Sequence, residues 1–130
     1  MKQMNLMDKY PVNELEISKD ETTFQSVEAI ITFIKEKVEN HPIATYIAVF
    51  DHYQHTQSLA DKKINKEILD AQNIIFCFGK EIPMPAILAV RPRSIGIVEM
   101  DKNFVITFMD APNAQLHDVM VSWVKSIVNK

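Results

Sequence analysis

Residues 95–127 read IGIVEMDKNFVITFMDAPNAQLHDVMVSWVKSI, and they contain the strongest indication of the fold class. Two runs rich in β-branched and aromatic residues, 95–100 and 104–109, flank a short polar segment, a pattern typical of a β-hairpin. Asn113 can then cap a helix whose apolar side chains recur at helical spacing, at positions 116, 120, 123 and 127. A hairpin followed by an amphipathic helix predicts an antiparallel sheet with a helix on one face.

The clearest helix lies nearer the N-terminus and is predicted to begin after Thr22 and to end before Pro42. Thr22 and Gln25 have the spacing of a capping box, and proline disfavours helical geometry in the residue that precedes it. The apolar residues of this segment recur every three or four positions and form one stripe, namely Phe24, Val27, Ile31, Ile34 and Val38. The stripe predicts a second helix with one face buried against the sheet.

Leu15 and Ile17 alternate with polar residues and predict a half-buried strand, and the largely apolar segments 43–50 and 73–78 predict two buried strands. A short helical segment is predicted near 52–60. The predicted fold is therefore α+β, with a mostly antiparallel five-stranded sheet and helices packed on one face. The predicted order is β-α-β-β-β-β-α, with the short helical segment after the second strand. This order excludes a doubly wound parallel sheet, in which strands and helices alternate.

The chain has 130 residues, two glycines and one cysteine, and these counts exclude several kinds of site. The two glycines are too far apart in the chain for a nucleotide-binding loop, which needs closely spaced glycines. A single cysteine cannot form an intrachain disulfide, a cysteine-rich zinc site or a redox pair. The length favours one domain, and we expect residues 1–11 to be an N-terminal lead-in and residues 12–130 to form a single α+β domain.

The charge of the chain predicts no binding to nucleic acid and no binding to a membrane. The net charge is −3, and neither half of the chain is basic. The longest apolar run, 86–90, is far shorter than the ~20 residues that cross a bilayer. The N-terminus has no apolar stretch of signal-peptide length and the chain has one thiol, so we expect a cytoplasmic protein.

From about Leu15 to the C-terminus, the chain resembles the bacterial family called domain of unknown function 302. The resemblance rests on Asp51-His52 after a strand, on Phe78-Gly79 before a proline-containing segment, and on Asp110-Ala111-Pro112 before the last helix. It implies a curved antiparallel sheet with the order β-α-β4-α, called TBP-like for its shape, and it supports the expectation of a homodimer. That family has no established activity, so the resemblance implies nothing about chemistry.

Asp51, His52 and His55 form the densest polar cluster of the chain. His52 and His55 are three residues apart, so on a helix both imidazoles would face one ligand. Asp51 could orient an imidazole or act with it in acid–base chemistry. In the simpler alternative, Asp51 caps the turn after the strand and both histidines lie on its surface. The spacing identifies no third metal ligand, so we predict no metal site.

Arg91 and Arg93 flank Pro92 and are the only arginines of the chain. Each guanidinium presents a planar fork of donors, so the pair could hold a carboxylate or a phosphate group. In the alternative, both arginines are solvated or form ion pairs. Cys77 lies within an apolar strand, and we expect it to pack in the core rather than to act as a nucleophile.

The two glycines mark the positions beside which we expect a site. Gly79 follows the third predicted strand, where the chain turns into a proline-containing segment. Gly96 lies inside the fourth predicted strand, where a missing side chain indicates either a bulge or the close approach of another backbone or a ligand.

These features predict a small non-enzymatic protein that binds a small molecule or a protein partner, as a homodimer and without a cofactor. The predicted ligand-binding residues are Asp51, His52, His55, Arg91 and Arg93, and a small anion is one candidate ligand. A different class of function stays open, in which the chain is a small enzyme that uses Asp51 and His52 as an acid–base pair. No other catalytic residue can be assigned from the sequence.

Overall fold

The structure of the chain, a computed structural model, describes residues 1–129; Lys130, the last residue of the predicted domain, lies outside this range. The strands are β1 (Lys2–Leu6), β2 (Tyr10–Ser18), β3 (Thr45–Phe50), β4 (Asp70–Cys77), β5 (Arg93–Glu99) and β6 (Asn103–Met109). The helices are α1 (Val27–Glu39), α2 (His52–Gln57) and α3 (Ala114–Lys125), and 3₁₀ turns cover Lys19–Glu21 and Pro85–Val90. Within residues 1–129, no helix has both the length and the apolar character that crossing a bilayer requires.

The strands form one antiparallel sheet in the order β1-β2-β6-β5-β4-β3, which confirms the predicted α+β class. Successive side chains of a strand point to opposite faces, and the two long helices cover only one face of this sheet. In β6, for example, Phe104, Ile106 and Phe108 are buried, whereas Val105 and Thr107 between them are partly exposed. We call the face covered by α1 and α3 the helix face, and the opposite one the open face.

An aromatic cluster packs α3 against the sheet. The Trp123 ring centroid lies 5.6 Å from those of both Phe76 and Phe78, on and just beyond β4. His41, which follows α1, contacts the rings of Phe78 and Trp123 at 5.4 and 5.9 Å. The cluster therefore joins both long helices to the end of β4, and it brings the first residues of α3 close to the segment that follows β4.

The prediction of five strands is one strand short, because β1 was not recognised in the sequence. The strand pairs with β2 in a register that runs from Lys2 opposite Glu14 to Leu6 opposite Tyr10. Every residue of β1 is exposed, so no buried apolar face marks it. The turn into β2 contains two residues with φ of 55° and 58°, Met7 and Asp8, where hairpins usually have asparagine or glycine.

The start of α1 also differs from the prediction, since the helix begins at Val27 and its cap is Ser26. The hydroxyl of Ser26 accepts a hydrogen bond from the amide of the third helical residue at 3.0 Å. Thr22, the predicted cap, is buried, and its hydroxyl donates to the carbonyl oxygen of Ile127 at 2.8 Å. Thr22 therefore holds the segment that follows α3. The two residues are far apart in the sequence, so local spacing does not predict this contact.

Replacing Met7 by glycine is expected to stabilise the protein by about 0.5–1 kcal/mol. A side chain in the left-handed region costs roughly 1–2 kcal/mol, and Met7 is exposed enough that little packing is lost. The larger entropy of an unfolded chain with an added glycine offsets part of this gain. Urea unfolding of Met7→Gly measures the difference, with Lys9→Gly as the matched control in the same turn. Equal stabilisation by both variants would contradict the explanation by backbone strain.

Candidate functional site

A cavity of about 460 Å³ lies where the end of β4 and the start of β5 meet the first residues of α3. Its walls are mostly apolar, and both arginines of the chain line it, so we call it the arginine cavity. The lining residues that matter most are Phe78, Ile87, Arg91, Arg93 and Leu116. Its volume falls in the range of about 300–1,000 Å³ that is usual for small-molecule sites.

The connection from β4 to β5 forms one wall of the arginine cavity. It begins at Gly79, whose φ of +30° lies in a region that side chains disfavour, and whose Cβ would lie 3.1 Å from Cys77 Sγ. The connection then forms the 3₁₀ turn that starts at Pro85, a position where the missing N–H of proline leaves no bond unmade. In this turn Ile87 is partly buried and lines the cavity, whereas Leu88 is exposed.

Arg93 is half-buried, and carbonyl oxygens hold its guanidinium in place. Its Nη2 donates to the carbonyl oxygens of Met109 and Asp110, the second at 3.0 Å. Its Nε is buried and has no hydrogen-bond partner among residues 1–129. Burial lowers the pKa of Arg93 from its ordinary value, and the charge of Asp110 acts in the opposite direction. The Asp110 carboxylate itself accepts a hydrogen bond from Asn13 Nδ2 at 2.6 Å.

The arginine cavity has an excess of positive charge. Lys80, Arg91 and Arg93 line it, against a single acidic residue, Glu81. The carbonyl oxygen of Glu81, rather than its carboxylate, accepts a hydrogen bond from Arg91 Nη1 at 2.6 Å. The ion pairs within residues 1–129 are Lys2–Glu14 and Lys19–Glu99, so neither arginine has a carboxylate partner in that range. The alternative prediction, that the arginines form ion pairs, therefore has no support within residues 1–129.

Asp51, His52 and His55 lie away from the arginine cavity. Asp51 Oδ1 accepts a hydrogen bond from the amide of Gln54 at 3.0 Å and caps α2. The imidazoles of His52 and His55 contact the ring of Phe50, with centroids 5.2 and 5.7 Å away. In the described chain, no three His, Cys, Asp or Glu side chains are grouped so that they could hold a metal ion.

The structure therefore brings Arg91 and Arg93 together but not with the histidines. The charge of Asp51 acts on Asp70 at the start of β4, whereas the arginine cavity lies at the other end of that strand, around Cys77. Cys77 is only partly buried and lines the cavity. Ligand binding by Asp51, His52 and His55 stays a prediction.

A second cavity, of about 380 Å³, lies on the open face beside Gly96, one of the two glycines beside which a site was expected. Asn73, Gly96 and Thr107 line it from three adjacent strands, and we call it the open-face cavity. In the sequence, only Gly96 indicated this cavity. Asn73 and Thr107 did not, because polar residues are common on the exposed face of a strand. The register of β5 with both neighbours is regular at Gly96, which excludes a bulge there.

These observations define an α+β protein with an open antiparallel sheet of six strands and a basic cavity at the end of β4. The chain belongs to a family of unknown function, DUF6858, whose family model matches residues 1–129. No curated protein and no solved structure matches the chain. The family match does not confirm the resemblance to domain of unknown function 302, which stays a prediction.

Asp70→Asn is expected to stabilise the protein at pH 7 by about 0.5 kcal/mol, the scale of like-charge repulsion near a surface. Burial raises the pKa of Asp70 above its ordinary value and the charges of Asp51 and Glu99 add to the rise, while a hydrogen bond from the Ala71 amide opposes it. The folded protein therefore holds this proton more tightly than the unfolded chain, and stability falls as pH rises through the raised pKa.

The gain from Asp70→Asn should vanish at pH 3, where the carboxyl is protonated in both the folded and the unfolded states. Thermal unfolding of the variant and the wild type at pH 7 and pH 3 tests this dependence. Asp61→Asn, at an exposed position, is the matched control for the loss of one negative charge. A gain of equal size at both pH values would contradict the electrostatic explanation.

Proposed function

We propose that this protein binds a small organic anion, a carboxylate with an apolar body, in the arginine cavity, and that it is not an enzyme. The observation that carries the proposal is Arg93, a half-buried cation that makes no direct ion pair with a carboxylate among residues 1–129. A half-buried charge is costly unless it is paired, and the nearby Asp110, whose charge acts on Arg93, does not line the arginine cavity. A bound anion would supply a direct partner on the cavity side. The carboxylate of such a ligand would pair with Arg93, and its apolar body would pack against the apolar walls of the cavity.

The hydrogen-bonding groups of the two arginines support a carboxylate as the head group of the ligand. Backbone carbonyl oxygens occupy Nη2 of Arg93 and Nη1 of Arg91, which leaves Nη1 of Arg93 and Nη2 of Arg91 without a partner in the described chain. Hydrogen bonds from guanidinium to carboxylate are short and strong. The apolar side chains of Phe78, Ile87 and Leu116 suit the remainder of the ligand.

Binding has more support than the enzyme alternative. Asp51, one member of the predicted acid–base pair, accepts the cap hydrogen bond from the Gln54 amide, and His52, the other member, is exposed beside Phe50. None of the cavities described here contains either residue. The proposal keeps two earlier expectations, a cytoplasmic location, where the single thiol stays reduced, and a TBP-like curvature of the sheet.

Cys77 provides a direct test of carboxylate binding, because the only thiol of the chain lines the arginine cavity. Hexanoate, benzoate and phenylacetate are expected to slow the alkylation of Cys77 by iodoacetamide in a saturable manner. Arg93→Gln and Arg91→Gln should each weaken this protection about tenfold or more, since a hydrogen bond to a charged group contributes about 1.5–3 kcal/mol. Uncharged hexanamide and benzamide should protect much less than the acids.

Lys102→Gln is the matched control, because it removes an exposed positive charge outside the cavity and should leave protection unchanged. Thermal unfolding of each variant establishes that it is folded, and Arg91→Gln serves as the second variant should Arg93→Gln unfold. An alkylation rate that no carboxylate alters in the wild type would refute the proposal. Equal protection by acids and amides would refute the role of the arginines.

We further propose that two chains form a homodimer through the free edge of β3. The strand has the sequence TYIAVF, carries no charge, and exposes Ile47, Val49 and Phe50. An exposed apolar edge strand can pair with another strand through its free backbone groups, and two antiparallel copies of one strand satisfy each other. The other edge of the sheet, β1, carries Lys2 and polar residues, which disfavour such pairing.

Light scattering at micromolar concentration is expected to give about 30 kDa, twice the 15.0 kDa of one chain. Ile47→Lys should reduce the mass to that of one chain without loss of structure, because a lysine on an edge strand opposes pairing. Gln3→Lys on β1 is the matched control and should leave the mass unchanged. A wild-type mass near 15 kDa would refute the homodimer.

A further inference from the structure

The open-face cavity combines a polar centre with apolar surroundings. Asn73 of β4, Gly96 of β5 and Thr107 of β6 are directly opposite one another across the three strands. Val90 and Pro92, from the connection before β5, also line the cavity. A bound molecule would therefore lie between the sheet and this connection, with the polar side chains within reach of its edge.

Gly96 has no side chain to separate the polar side chains of Asn73 and Thr107, which both lie close to its backbone. A Cβ at this position would lie 3.2 Å from Asn73 Nδ2 and 3.3 Å from Thr107 Oγ1, closer than ordinary contacts. Because the register is regular and φ is not in the left-handed region, neither a bulge nor a turn requires this glycine. The glycine instead makes room for the side chains of Asn73 and Thr107, and it brings their polar groups close together on the open face.

The polar groups of this cavity are free to bind a ligand. In the part of the chain that the structure describes, no hydrogen bond engages the side chains of Asn73 and Thr107. The amide of Asn73 offers a donor and an acceptor side by side, and the hydroxyl of Thr107 can act as either. The two charged lining residues, Arg93 and Asp110, have opposite signs, so the cavity favours an uncharged ligand, unlike the basic arginine cavity.

We propose that the open-face cavity binds a flat, uncharged heterocycle that carries a donor and an acceptor next to each other on one edge. The ring lies between the sheet and the connection before β5, with its polar edge hydrogen-bonded to Asn73 and one face against Val90 and Pro92. An asparagine amide recognises the edge of a purine by the same pairing of donor and acceptor. Purines, pyrimidines and nicotinamide belong to this chemical class.

The two glycines of the chain allow each cavity to be observed separately. Gly79 lines the arginine cavity and Gly96 lines the open-face cavity, so selective ¹⁵N-glycine labelling of the full chain gives one backbone amide signal for each. Adenine, uracil and nicotinamide are the probes, and benzyl alcohol is the control ring without the paired donor and acceptor. At least one probe should shift the Gly96 signal in a saturable manner, with a Kd near or below about 1 mM.

Asn73→Ala is expected to weaken binding of that probe roughly fivefold or more, as the loss of a hydrogen bond predicts. Thr107→Val, which preserves the shape of the side chain, gives a second test should Asn73→Ala unfold. Gln54→Ala, which removes an exposed amide on α2, should leave the Kd unchanged.

Three outcomes would overturn the proposal. They are the absence of a Gly96 shift with every probe up to about 10 mM, an equal shift with benzyl alcohol, and probe binding that neither Asn73→Ala nor Thr107→Val weakens. The first of these outcomes includes a shift of Gly79 alone, which would leave the proposed carboxylate site intact. Conversely, failure of carboxylates to protect Cys77 has no bearing on the Gly96 signal.

Discussion

Burial of a single sheet face is the constraint on which the rest of the structure depends. The rings of Phe76, Phe78 and Trp123 hold α3 against the end of β4, and α1 packs beside it over the same face. Because α3 is fixed there, its first residues meet the connection from β4 to β5, and the arginine cavity lies between them. No long helix covers the open face, and the second cavity forms there between the strands and the connection that precedes β5.

The elements that the sequence predicts well are those whose signals are local. The apolar spacing of α3 and the capping side chain of Asn113, which accepts from two helix amides at 2.9 and 3.1 Å, both follow from neighbouring residues. The hairpin of β5 and β6 is predicted for the same reason. The strand β1 has no such local signal. Its side chains are all exposed, and its turn contains Met7 and Asp8 in a backbone conformation that these residues disfavour.

The residues of the candidate sites also fall into those that local sequence predicts and those that it does not. Arg91 and Arg93 are only two residues apart, so the sequence predicts that both lie at one site. Gly79 and Gly96 are the only glycines of the chain, and each lines one of the two cavities. The residues that complete each cavity come from distant parts of the chain, such as Leu116 in one and Asn73 in the other. Their contribution depends on how α3 packs and on which strands are adjacent, and neither is encoded in local spacing.

The N-terminal strand has a consequence for local opening of the protein. β1 contacts the sheet through β2 alone and buries no side chain, so it belongs to the least protected part of the fold, where amide hydrogens exchange through small fluctuations. When it detaches, Asn13, which is buried and accepts from Gln3 Nε2 at 3.2 Å, loses that hydrogen bond, and the backbone of β2 becomes a new free edge. The strand that forms this edge of the sheet, and that is available for pairing, therefore changes from β1 to β2 with a motion far smaller than unfolding.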